Sequence, residues 1–179
     1  MNIALDPAVV LMARASVSLL FAVAAAHKLL HPHQFTTTLE AYELVGHRYS
    51  AALARVLPLL ELAAAIGLWV GATRLFAMLL AVSLLLIYAT AIAINLARGR
   101  RDLDCGCTAF GRRSPIGAWM VARNSILALC AALAAVPPTS RALALTDALT
   151  VAGGLCVLTL IYVAADTLFA SVARMEFQS

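Results

Sequence analysis

Residues 75–97 read LFAMLLAVSLLLIYATAIAINLA and contain no charged side chain. At a rise of ~1.5 Å per residue such a helix covers the ~30 Å hydrocarbon core of a bilayer. A soluble helix of this length would carry a charged, water-facing stripe. This one has only Ser83, Tyr88, Thr90 and Asn95 as polar interruptions. The stretch predicts a membrane span, and the rest of the chain is read outward from it.

On its N-terminal side, residues 71–74 form a tight turn, preceded by a second apolar block at about 51–71 that contains Pro58 and Glu61. Gly67 and Gly71 in that block have the GxxxG spacing that permits close helix packing; a plain small-residue helix reads equally well. Upstream lies a block at about 8–30, then a polar connection in which Phe35, Leu39 and Tyr42 recur at helical spacing. That spacing predicts a short interfacial helix after the first span. Downstream, a polar loop leads to blocks at about 116–136 and 143–170, separated by Pro137-Pro138. The expectation is an all-α, polytopic transmembrane bundle of about five spans, forming a single integral membrane domain over residues 1–179.

Composition agrees. The 179 residues are 63% hydrophobic and 12% charged, about half the charged fraction of a typical soluble domain. The net charge of +4 does not indicate nucleic-acid binding, because five arginines cluster between apolar blocks at Arg98, Arg100, Arg101, Arg112 and Arg113. Such clusters orient membrane proteins or meet anionic headgroups, making the lipid bilayer the expected partner. The first seven residues lack Lys and Arg, so the first block is expected to be a retained helix rather than a signal peptide.

Five spans put the termini on opposite sides. The side opposite the N-terminus holds Lys28, Arg48, Arg98, Arg100, Arg101, Arg112, Arg113 and Arg174; the N-terminal side holds only Arg74 and Arg141. The positive-inside rule makes the Arg-rich side cytoplasmic.

Cys105-Gly106-Cys107 lies in the Arg-rich loop. Two thiols separated by one glycine can close a small, strained and therefore oxidising disulfide. The flanking arginines favour thiolate, whereas Asp102 and Asp104 oppose it. Incidental loop cysteines are one alternative. A metal site is another, but it would need ligands beyond two sulfurs, with His27, His31, His33 and His47 on the same side. Cys130 and Cys156 fall within spans and read as small apolar packers.

Charged and amide groups within spans form the second candidate cluster. Glu61, Asn95, Arg123, Asn124 and Asp166, with His27 and Lys28 at the end of the first span, are expected toward the Arg-rich side, with Glu61 or Asp166 paired to Arg123. Such a pair either locks the bundle or tunes a thiolate. Arg14 and the histidines are expected to snorkel to the interface.

Four segments carry a family resemblance: AAAHKLLHP ending the first block, followed by Phe35, Leu39 and Tyr42; LLELAAAIGLW; LARGRRDLDCGC; and VARNSILAL. In this order they resemble the methylamine utilisation MauE family, within the wider MauE/DoxX-like group of redox-associated membrane proteins. The resemblance spans roughly residues 10–135. It implies a bacterial inner-membrane protein that supports maturation of an amine dehydrogenase, whose small subunit is rich in disulfides. It also implies a thioredoxin-like partner and makes Cys105 and Cys107 the redox pair. Glu61, Asn95, Arg123 and Asn124 become supporting positions. The expected activity is thiol–disulfide exchange. A non-enzymatic scaffold or export chaperone is the main alternative. A protein binding a small solute or a quinone is a third, and it would need a cavity beneath the loop. No resident cofactor is assigned.

Overall fold

Helix starts and stops follow local chemistry in the computed structural model, which describes residues 5–103 and 115–178, without the side chains of 170 and 172–178. Helix α1 spans Pro7–Leu30. Asp6 caps it by accepting from the Ala8 N–H at 2.9 Å, and Pro7 occupies the first turn, where no amide donor is needed. It ends at His31, which the following proline forces out of helical conformation (φ −126°, ψ 57°). Pro32 then opens α2, Pro32–Ala41. This is the expected interfacial helix, with Phe35 and the adjoining Tyr42 both buried.

Helix α3 is His47–Gly67, and α4 is Arg74–Ala97. Pro58 lies buried inside α3. A mid-helix proline is tolerated in membranes, where neighbouring helices help satisfy the backbone it disturbs. Helix α3 stops at Gly67, so the proposed Gly67/Gly71 pair is not a helical motif: Gly71 lies in the turn with nothing near it. Gly67 alone makes a close approach, since a Cβ there would meet the Ala77 Cβ at 2.8 Å.

Helix α5, Ala118–Leu133, has 16 residues and is shorter than the expected 116–136. It covers about 24 Å, less than a full hydrocarbon core. The segment after it turns, and Arg14 of α1 donates through Nε to the Ala134 carbonyl at 2.8 Å. Arg14 thus reaches the level of the helix ends, where it places a cation on the negative end of α5. Helix α6, Leu145–Gln178, has 34 residues. Four helices (α1, α3, α4 and α6) are long and apolar enough to cross a membrane, and α5 is the shorter apolar helix. The architecture is a polytopic helical bundle. Among the described residues the only β-pairing is an isolated bridge between Leu5 and Pro138.

Helices α1, α3, α4, α5 and α6 alternate in direction, in keeping with the cross-helix contacts Lys28–Glu61, Tyr88–Glu61, Ile92–Met120 and Arg123–Asp166. The most extensive packing is of α4 on α5 and of α1 on α3. The central core mixes Val17, Phe21, Leu68, Leu84 and Leu85 with Ala64, Ala81, Ala131 and other alanines. Small residues let backbones approach where lipid supplies no hydrophobic drive between helices. A second cluster, Tyr42, Ile92, Leu103, Ile116 and Met120, sits at the Arg-rich end. It pins the stems of the cysteine loop, and the Ile116 N–H donates to the Leu103 carbonyl at 3.0 Å.

Candidate functional site

Cys105 and Cys107 lie outside the described residues; only the stems of their loop are described. Arg100 at the first stem donates to the Ala41 carbonyl at 2.9 Å and pairs with Glu43 at 3.0 Å. This ties the loop base to the α2–α3 turn, where Glu43 takes a left-handed conformation (φ 49°).

The intramembrane cluster is well defined. Glu61 of α3 is fully buried and pairs with Lys28 of α1, which is 2% exposed. The Tyr88 hydroxyl of α4 donates to the same carboxylate oxygen, Oε1, at 2.7 Å. The ammonium of Lys28 lies over the rings of Phe35 and Tyr88, at 4.9 and 4.7 Å from their centroids. A buried carboxylate is stable only with such compensation. Facing it, Arg123 of α5 pairs with Asp166 of α6 at 2.5 Å. The Arg123 guanidinium also lies 5.5 Å from the Tyr162 ring centroid. Trp119 and Phe169 stack beside this pair at 4.2 Å.

Of the five charged and amide residues expected to cluster within the spans, Glu61, Arg123 and Asn124 line one cavity, and Asp166 reaches it through Arg123. Asn95 does not join them. It is fully buried near the end of α4, its amide donating to the Ala91 carbonyl at 3.1 Å. The expected pairing of Arg123 resolves to Asp166, and Glu61 takes Lys28 instead. Glu61 also lies nearer the Gly67 end of α3 than the His47 end, so the cluster reaches deeper than expected.

Tyr88 and Tyr162 are site residues that the sequence does not single out, and Lys28 is one that it places in the cluster but not as the partner of Glu61. Lys28 looked like a flanking topological charge, and Tyr88 like one polar break in an apolar run. A helical side chain tilts toward its own N-terminus, so Lys28 near the end of α1 reaches back into the bundle. Among the described charges it no longer counts as a surface cation, but the arginines still dominate its side. A charge at the end of an apolar block with a lone Glu in the next span was the available signal.

Cys130 is half-buried, and Cys156 is exposed on α6, so Cys156 is not the packer expected of it. His27 and His31 meet edge to face at 5.0 Å. Among the described residues no group of three His, Cys, Asp or Glu is arranged to hold a metal ion. The cavity measures about 30 Å³, room for a water or two but not for a quinone ring without opening.

The fold and these pairs define an integral membrane bundle with a hydrogen-bonded ionic core. Residues 6–137 match the family described as Methylamine utilisation protein MauE. The chain is 37% identical over 147 residues to the methylamine utilization protein MauE of Paracoccus denitrificans, covering 82% of this chain and 79% of that one. It is 38% identical over 166 residues to that of Methylophilus methylotrophus, covering 90% and 86%. The chain belongs to the MauE family. No solved structure matches it.

Proposed function

We propose that this protein serves methylamine utilisation in the bacterial inner membrane, by thiol–disulfide exchange at Cys105-Gly106-Cys107. A thioredoxin-like protein is the redox partner, and the client is an amine dehydrogenase small subunit or a similar exported protein. The family match carries the reading, because the cysteine element lies inside the matched region. The pinned loop stems support it, since a reactive loop needs a fixed base.

The exchange runs through known steps. A thiolate of the pair attacks a sulfur of the partner's disulfide; that S–S bond breaks, and a mixed disulfide forms as the partner's other sulfur leaves as thiolate. The second thiol of the pair, deprotonated, then displaces the bound partner sulfur. The pair ends oxidised and the partner reduced by two electrons. The reverse sequence passes oxidation to the partner.

The test combines trapping with sidedness. Cys107→Ser and Cys105→Ser are each examined in cells for a mixed disulfide, and the double variant for amine dehydrogenase activity. A trapped partner and a lost dehydrogenase support exchange. Full activity in the double variant overturns it and leaves a scaffold role. A membrane-impermeant thiol reagent, with and without prior reduction, places the pair. Outside labelling only after reduction assigns a periplasmic disulfide, against the arginine-based orientation. Labelling only after permeabilisation assigns a cytoplasmic dithiol, which could not directly oxidise an exported client.

A further inference from the structure

Glu61 uses its two carboxylate oxygens unequally. Oε1 takes both Lys28 Nζ and the Tyr88 hydroxyl. Oε2 is buried and has no hydrogen-bond partner. Across the cavity, the amide nitrogen Nδ2 of Asn124 is also buried without a partner, and Asn124 is only 3% exposed. Glu61 and Asn124 sit on different helices, α3 and α5, and both line the same space of about 30 Å³. An ionised carboxylate oxygen only accepts, and an amide NH₂ only donates. Buried groups of this kind are satisfied in native proteins, and when no protein atom serves, an ordered water does.

The rest of the lining is set for such a ligand and no larger one. Lys28, Tyr88, Arg123 and Tyr162 surround the space, and Asp166 stands behind Arg123. Two cations and two anions balance, so no net charge calls for an ionic guest. The volume exceeds the ~10–15 Å³ that one water needs and falls far short of an organic ring.

We propose that this cavity is a water-binding site, in which a bound water donates to Glu61 Oε2 and accepts from Asn124 Nδ2. The water joins the Lys28–Glu61–Tyr88 set to Asn124 and so links α1, α3, α4 and α5 through one polar network beside the Arg123–Asp166 pair. The site does not depend on the chemistry of the loop cysteines.

Radiolytic hydroxyl-radical footprinting of the full-length protein in lipid nanodiscs tests this, because radicals born from bound water oxidise only the side chains beside it. Tyr88 and Tyr162 should be modified in the wild-type protein. Leu84, 2% exposed in the dry core, should not be, and it reports on folding. Asn124→Leu removes the donor and fills the space, and Ala24→Leu fills it from α1 without touching a polar group. Loss of modification at both tyrosines in either variant, with Leu84 still protected, is the expected result. Unmodified tyrosines in the wild-type protein overturn the proposal. So does modification that persists undiminished in the folded variants.

Discussion

The Lys28–Glu61 and Arg123–Asp166 pairs flank one cavity but are embedded differently. The first joins α1 to α3 within the tightly packed part of the bundle, its side chains 2% and 1% exposed. The second joins α5 to α6, and its Asp166 side chain is 13% exposed. Helix α6 carries a long series of outward apolar residues, including Leu149, Leu160 and Leu168, and Val151 is its only fully buried hydrophobic among the described residues. It also lies outside the family match, which ends at residue 137. The same chemistry therefore serves two purposes. Inside the packed region an ion pair compensates a charge that cannot reach water. On the periphery it ties to α5 a helix that otherwise packs on α1.

The largest effect expected from this contrast is at Glu61. Glu61→Ala leaves the Lys28 ammonium buried without its anion, and breaking such a pair costs about 3–5 kcal/mol. The double variant Lys28→Met/Glu61→Leu removes both charges and should recover most of that loss. Reversible unfolding in mixed micelles measures both. A single variant as stable as the double would mean that Lys28 escapes to the interface, and the contrast between the pairs would fail.

A smaller effect separates two glycines. A Cβ at Gly67 would meet the Ala77 Cβ at 2.8 Å, and one at Gly154 would meet the Met12 Cε at 2.7 Å. The distances match, but the neighbours do not. Ala77 is fixed on α4, whereas the end of Met12 can swing away. Gly67→Ala should cost about 1–3 kcal/mol as overpacking, and Gly154→Ala distinctly less. Equal costs would show that α6 is as rigidly seated as α3.

Next is Asp166→Asn. The amide still accepts a hydrogen bond from Arg123, and Tyr162 still faces the guanidinium, so the loss should be about 1 kcal/mol, typical of interhelical polar contacts. Its clearer signature is positional. Disulfide cross-linking of a Met12→Cys/Gly154→Cys pair should slow when Asp166→Asn is added, as α6 loosens from α1. An unchanged cross-linking rate would remove the positioning role.

How much of this was legible in advance depended on the range of the interaction. Apolar run length gave the spans, because it answers to the bilayer rather than to any partner. Phe35 and Tyr42 gave α2 by local periodicity, and both are buried. Arg123 invited a carboxylate because a charge inside a span needs compensation. Which carboxylate was not legible: Glu61 and Asp166 were both open until the helices were placed. That Lys28 is the partner of Glu61 was not legible either, because reach along a helix depends on side-chain direction, which spacing does not encode. The length of α5 was overestimated because its C-terminal turn keeps the apolar composition of the helix it ends.

The smallest effect lies at the opposite end of the molecule from the loop. Arg141 bridges Asp6, ahead of α1, at 3.1 Å and Asp147, in the first turn of α6, at 2.9 Å. The Thr139 N–H adds a bond to the Leu5 carbonyl at 2.9 Å. The Arg141 hydrogen bonds, then that from the Ala8 amide, hold the Asp6 carboxyl below its ordinary range. A carboxyl depressed in the folded state contributes stability that is complete above its unfolded value and is lost as pH falls through the folded one. The clasp should therefore persist through mildly acidic pH and open only below the usual carboxylate range. Because the groups are exposed, the signal is local mobility rather than global stability. A spin label at Leu5→Cys should stay immobile until strong acid, and Arg141→Gln should raise the pH of its release. Release of the wild-type label in mild acid, or an identical titration in Arg141→Gln, would show that backbone contacts alone hold the N-terminus to the bundle.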